Sequence, residues 1–79
     1  MPIINVHYFA SLREATGVSS EELHFSGTYA ELYENLSKKY SFKLPRDMVM
    51  LAVDDEFSRM ENLVTDKAKV VFIPPVAGG

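Results

Sequence analysis

The residues with the clearest chemical promise in this 79-residue chain are its last six, Pro74-Pro75-Val76-Ala77-Gly78-Gly79, which hold half of its 4 prolines and half of its 4 glycines. Extended, such a segment spans roughly 20 Å. Two prolines favour a stiff, extended start, and two glycines present no Cβ to block entry into a narrow channel. The arm is suited to carry its terminal carboxylate into the active site of another protein. That carboxylate has a pKa near 3.5, so at neutral pH it is ionised and a poor electrophile. Activation has to come from outside, most simply as an acyl-adenylate that a partner makes from ATP, after which sulfur or an amine displaces AMP. With sulfur as the acceptor, Gly79 ends in a thiocarboxylate, a soft nucleophile that the arm can aim. Such a chain is expected to be a carrier and no enzyme on its own.

The other reactive residue types form no constellation. His7 and His24 fall on separate predicted strands without metal-ligand spacing, and they read as strand-face residues. Asp54-Asp55-Glu56 reads as a turn, since adjacent acids on a tight turn point apart and stay solvated. Tyr29, Tyr33 and Tyr40 share a helical stripe and are expected in the core, with hydroxyls reaching water at its edge. The chain contains no cysteine, which removes disulfides, thiolate nucleophiles and Cys-ligated metals. There is no Gly-x-x-x-x-Gly-Lys loop and no dinucleotide fingerprint, so no bound nucleotide, metal or other cofactor is expected. Lysine and arginine number 8 against 11 acids, for a net charge of −3, and the bases are scattered, which gives no footprint for nucleic acid. No apolar run approaches the ~20 residues of a membrane span, and Met1-Pro2-Ile3-Ile4-Asn5 does not read as a leader, so a cytoplasmic location is expected.

The elements that must position the arm can be read from periodicity. Ile4, Val6 and Tyr8 alternate with Asn5 and His7 as a half-buried strand ending near Phe9. Ser11-Leu12-Arg13-Glu14 has capping-box spacing, and Gly17 stands where a helix C′ residue would, which predicts a short helical turn. Glu21 to Phe25 reads as a second strand, with Leu23 and Phe25 on one face, before a Ser26-Gly27 turn. Thr28-Tyr29-Ala30-Glu31 is a second capping box, and Tyr29, Leu32, Tyr33, Leu36 and Tyr40 behind it form the stripe of one long amphipathic helix. The fully apolar run Met48 to Val53 suits a strand covered on both faces; Phe57 to Met60 is a brief strand and Leu63 to Lys67 a loop with one apolar anchor. Lys69 to Ile73 is the last strand, stopped by Pro74.

This order predicts an α+β domain over residues 1–73, with one main helix across one face of a mixed sheet, and an extended tail over 74–79. If the first and last strands pair centrally, the result is a ubiquitin-like β-grasp. With Ile4, Val6 and Tyr8 toward the helix, Phe9 points the other way; with Ala68, Val70 and Phe72 toward it, Val71 and Ile73 point outward. Joined by Met48 or Met50, they would make an apolar docking face beside the tail. Arg13 is read either as a partner contact or as cover for the sheet edge.

Phe9-Ala10-Ser11-Leu12-Arg13-Glu14 with Gly17, Leu51-Ala52-Val53 before an acidic turn, and the closing Val70-Val71-Phe72-Ile73-Pro74-Pro75-Val76-Ala77-Gly78-Gly79 resemble the small subunits of molybdopterin synthase. These are sulfur carriers related to the thiamine sulfur carrier and to ubiquitin. The resemblance runs from about Ile3 to Gly79, and the closing segment is its most specific part. It implies a covalent 1-thioglycine at Gly79, formed after adenylation by an ATP-using E1-like enzyme with sulfur from a donor protein. It also implies insertion of Pro74, Pro75, Val76, Ala77 and Gly78 into the large catalytic subunit, in a heterotetramer. There, sulfur converts cyclic pyranopterin monophosphate into the dithiolene of molybdopterin. Phe9, Arg13, Met50, Val71 and Ile73 are the residues read as partner-binding. Two departures concern loops: Asp54-Asp55 stands where the family commonly has Asn-Gly, and Thr65-Asp66-Lys67-Ala68 where an Asp-Gly-Asp turn is common. A thiamine-type carrier serving a thiazole synthase, a ubiquitin-like modifier joined to lysines, and a binding module with an incidental tail are the competing readings.

Overall fold

The computed structural model describes residues 1–75, so Val76, Ala77, Gly78 and Gly79, and the roles read for them, lie outside the described residues. In chain order the elements are β1 (Ile3–Tyr8), α1 (Ala10–Thr16), β2 (Ser20–His24), α2 (Tyr29–Tyr40), a single 3₁₀ turn (Arg46–Met48), β3 (Met50–Val53), β4 (Glu56–Phe57) and β5 (Lys69–Ile73). They form one five-stranded sheet in the order β2-β1-β5-β3-β4. Only β1 and β5 run parallel, with Val6 opposite Val70 and Tyr8 opposite Phe72; the other neighbours are antiparallel. This is the ubiquitin-like β-grasp that the alternation predicts.

The core follows from that pairing. Ile4, Val6 and Tyr8 of β1, Val70 and Phe72 of β5 and Leu51 of β3 pack with Tyr29, Leu32, Tyr33 and Leu36 of α2. The Tyr33 and Phe72 rings meet edge to face at 5.2 Å. The capping box at the head of α2 forms: the Glu31 amide donates to Thr28 Oγ1 at 3.1 Å, and the Thr28 amide donates to Glu31 Oε1 at 2.9 Å. The Thr28 amide, and then the Thr28 hydroxyl donating to the same oxygen at 3.2 Å, lower the pKa of the Glu31 carboxyl. The helix ends at Ser41, which takes a left-handed φ of 58°.

Three details differ from the pattern reading. The Ser11 capping box does not form, because α1 begins earlier: Phe9 is its N-cap, with no side-chain cap, and the Phe9 carbonyl accepts from the amides of Leu12 and Arg13. Tertiary anchoring through buried Leu12 sets the start of this short helix. Gly17 does close it, at φ 78°. Second, the Met48–Val53 run is covered on one face only. Met48 belongs to the 3₁₀ turn and Met50 is 56% exposed, since both helices pack into the same core and leave the opposite face open. Third, β4 stops at Phe57, and Met60 packs on the core from the following loop, whose carbonyls at Met60 and Asn62 accept from Ala30 and Tyr29 at the start of α2. The one apolar anchor expected in the later loop is Val64, which is buried, while Leu63 is exposed.

A polar node ties β1, β2 and α2 together. One Glu21 oxygen, Oε2, accepts from the Tyr8 hydroxyl at 2.6 Å and from the Tyr40 hydroxyl at 2.7 Å, while the Tyr33 hydroxyl donates to the Leu44 carbonyl at 2.7 Å. Two of the three helix tyrosines thus end on protein acceptors rather than simply at the wet edge. Burial first, and then the Glu21 hydrogen bond, push the Tyr8 phenol far above its ordinary pKa. Tyr40 is raised mainly by Glu21 and Tyr33 mainly by burial.

Replacing Glu21 by Ala strands the Tyr8 hydroxyl in the core and should cost about 2 kcal/mol, read as a lower urea midpoint at unchanged slope. Glu21→Gln keeps an acceptor and should lose less. For the raised phenols, the unfolded chain ionises first, so their contribution is complete below about pH 10 and is lost as pH rises beyond it. Urea midpoints should therefore fall above about pH 10, and Tyr8→Phe should flatten that fall.

Candidate functional site

The strand register sorts the open face into two halves. Met50 opposite Ile73, Ala52 opposite Val71, and Phe57 opposite Ala52 make the β5-β3-β4 half apolar. Asn5 opposite Glu22, His7 opposite Ser20, and Ile3 opposite His24 make the β1-β2 half largely polar. Met50, Phe57 and Phe9 are exposed by 56%, 73% and 53%, and Val71 and Ile73 are half-buried. Between the halves lies an open depression of about 390 Å³ walled by Phe9, Phe57, Val71 and Ile73, with His7 and Lys69 on its polar side.

The structure thus brings four of the sequence-derived docking residues, Phe9, Met50, Val71 and Ile73, to the apolar half and its rim. Arg13 lies apart, exposed on α1 beside a cleft shared with Glu14 and Gly17. Phe57 and Ala52 belong to the face and were not read from the sequence. Their signal was available: a two-residue turn at Asp54-Asp55 fixes Phe57 opposite Ala52.

That turn explains the first family departure. Asp54 and Asp55 take φ of 51° and 70°, the two left-handed residues of a type I′ hairpin turn that Asn-Gly serves elsewhere. Each carboxylate also has a task on β5: Asp54 Oδ1 accepts from the Lys69 amide at 2.9 Å, and Asp55 Oδ1 pairs with Lys69 Nζ at 2.9 Å. The second departure is handled similarly. Lys67 takes φ 66° where glycine would be easiest, its amide donates to the Ile3 carbonyl, and Asp66 Oδ1 accepts from the Ile3 amide at 2.9 Å. Both loops keep tight-turn geometry and bind it to the central strands.

At the end of β5 the chain passes the first turn of α1. Pro74 is buried and Pro75 exposed, and a cleft of about 510 Å³ lies among Phe9, Ala10, Ser11, Glu14 and Ile73 with the two prolines. The base of the arm therefore stands directly beside the apolar half of the open face, since Phe9 and Ile73 border both. His7 and His24 lie on adjacent strands at opposite ends of their register, and no group of three or more His, Asp or Glu among the described residues could hold a metal ion. No helix among the described residues is long and apolar enough to cross a membrane.

The model of the ThiS family matches residues 6–79. Among curated proteins, the chain is 30% identical over 81 residues to the molybdopterin synthase sulfur carrier subunit of Haemophilus influenzae, covering 98% of this chain and 100% of that one. It is 34% identical over 79 residues to the subunit of the same name from Arabidopsis thaliana, covering 96% and 82%. Among solved structures, a putative molybdopterin converting factor subunit 1 from Pyrococcus furiosus matches with a TM-score of 0.81 at 26% identity, over 96% of this chain and 100% of that one. The complex of subunits 1 and 2 of the molybdopterin-converting factor from Helicobacter pylori contains a chain that shares the fold, with a TM-score of 0.68 at 20% identity over 98% and 99%. Matched over nearly its whole length by a family model and by full-length relatives, this chain belongs to the ThiS family, in the group of sulfur carriers that includes the molybdopterin synthase small subunits.

Proposed function

We propose that this chain is the sulfur-carrying, non-catalytic subunit of a molybdopterin synthase. An E1-like partner joins the Gly79 carboxylate to AMP, releasing pyrophosphate from ATP. Sulfur delivered at the sulfide level by a donor protein then attacks the acyl carbon, expels AMP and leaves a thiocarboxylate, the 1-thioglycine of the activated carrier. Docked on the large catalytic subunit with Pro74, Pro75, Val76, Ala77 and Gly78 leading into its active site, the carrier bonds its sulfur to a carbon of cyclic pyranopterin monophosphate, and water then cleaves the acyl C–S bond, leaving the sulfur on the pterin and restoring the Gly79 carboxylate. Two such transfers build the dithiolene of molybdopterin.

The observation that carries this reading is the placement of an exposed apolar face at the base of a Pro-Pro-Val-Ala-Gly-Gly arm. A contiguous apolar patch on a small domain marks a partner site, and here it is adjacent to the segment whose end must reach a partner's catalytic groups. The names of the two curated relatives favour a molybdopterin synthase over a thiazole synthase as that partner.

Co-expression with the activating enzyme should give a chain whose mass shows one oxygen exchanged for sulfur, localised to Gly79 by fragmentation. An unmodified terminus under those conditions would overturn the proposal, and ladders of lysine-linked conjugates would point to a modifier instead. The intact chain should retain the large synthase subunit, not a thiazole synthase, on an affinity column. Met50→Lys and Phe9→Glu, both at exposed positions, should each weaken that complex about thirtyfold, while thermal stability changes little because no core contact is lost.

A further inference from the structure

Pro74 is buried at the very point where the chain leaves the sheet, a position at which an arm that only needs freedom would be exposed. We infer that Pro74 is a positioning residue: seated beside the first turn of α1, it fixes the direction in which the arm departs and so where Gly79 is presented. The inference rests on the sulfur-carrier reading above.

The exit is over-determined. Each proline fixes its own φ, and each excludes the helical region for the residue before it. Ile73 and Pro74 are therefore both held extended, and β5 runs straight into the arm. The wall that Pro74 faces is fixed as well. Ala10 carries a left-handed φ of 49°, a conformation that a residue with a Cβ keeps only when its surroundings enforce it. That turn folds the end of β1 back into α1, where Leu12 is 2% exposed and pins the helix to the core. The corner Phe9-Ala10-Ser11 is thereby set against the end of β5, and Pro74 closes the cleft between them.

The lever arm makes the angle matter. Five residues from Pro75 to Gly79 reach about 16 Å when extended, so a swing of about 10° at Pro74 moves the terminus about 3 Å. A reacting atom misplaced by about 1 Å can cost about a hundredfold in rate. Pro74 touches no substrate and acts through the placement of Gly79.

The test uses the intact chain, activated by its E1-like enzyme, in single-turnover sulfur transfer with the large synthase subunit. Pro74→Gly should transfer sulfur at least about tenfold more slowly at saturating large subunit, a loss of rate larger than any accompanying loss of affinity for that subunit. Pro74→Ala, which keeps the restriction imposed by Pro75, should fall between. Because the chain has no cysteine, spin labels at Gly78→Cys and Lys38→Cys give a second readout, and their distance distribution should broaden when Pro74→Gly is added. An unchanged transfer rate, an unchanged distribution, or a parallel loss of affinity and rate would each overturn the inference. Failure of the unsubstituted chain to acquire or transfer sulfur would overturn the sulfur-carrier reading itself, which separates the two.

Discussion

The parallel pairing of β1 with β5 is the constraint from which the rest of the molecule follows. Two parallel neighbours cannot be joined by a tight turn, so all the chain between Tyr8 and Lys69 has to act as a crossover. Its longest helix packs back over the pair, its remaining strands flank the pair on both sides, and among the described residues no element crosses the opposite face. The same pairing puts the end of β1 and the end of β5 side by side and pointing the same way. The corner at Phe9 and the exit at Pro74 are consequently neighbours by topology, although 65 positions separate them in the sequence.

Much of this is legible in the sequence. Alternation located β1 and β5 and assigned their inward and outward residues, and the stripe from Tyr29 to Tyr40 located α2. Local signals failed where a tertiary contact overrode them. Thr28 and Ser11 have the same capping-box spacing, yet only Thr28 caps a helix long enough for its own periodicity to dictate where it begins. The seven-residue α1 starts where the backbone must turn out of β1. The apolar run from Met48 to Val53 suggested a strand buried on both faces because composition says how much of a strand is apolar, not whether its second face is covered.

Glu21 shows the same limit from the polar side. The alternation that puts Leu23 and Phe25 inward also puts Glu21 inward, so its phase was available. Its partners were not, since Tyr8 and Tyr40 lie 13 and 19 residues away and meet it only after the sheet and α2 have closed. A carboxylate on the core side, once there, is tolerable because two phenols supply its hydrogen bonds. The acidic turn at Asp54-Asp55 follows a related logic. Side chains that are second-best for left-handed backbone also fasten the hairpin to β5 through Lys69.

The strand order has one more consequence. A protein with an exposed apolar face is at risk of self-association, and the usual route is through unpaired strands at the borders of a sheet. Here one border is β2, Ser20–His24, whose sequence is Ser-Glu-Glu-Leu-His, and the other is β4, only two residues long. An acidic border and a stub offer little for the strand of another chain to extend. The exposed apolar side chains of Met50 and Phe57 lie on one face instead, where side-chain contacts can form and release without extending the sheet.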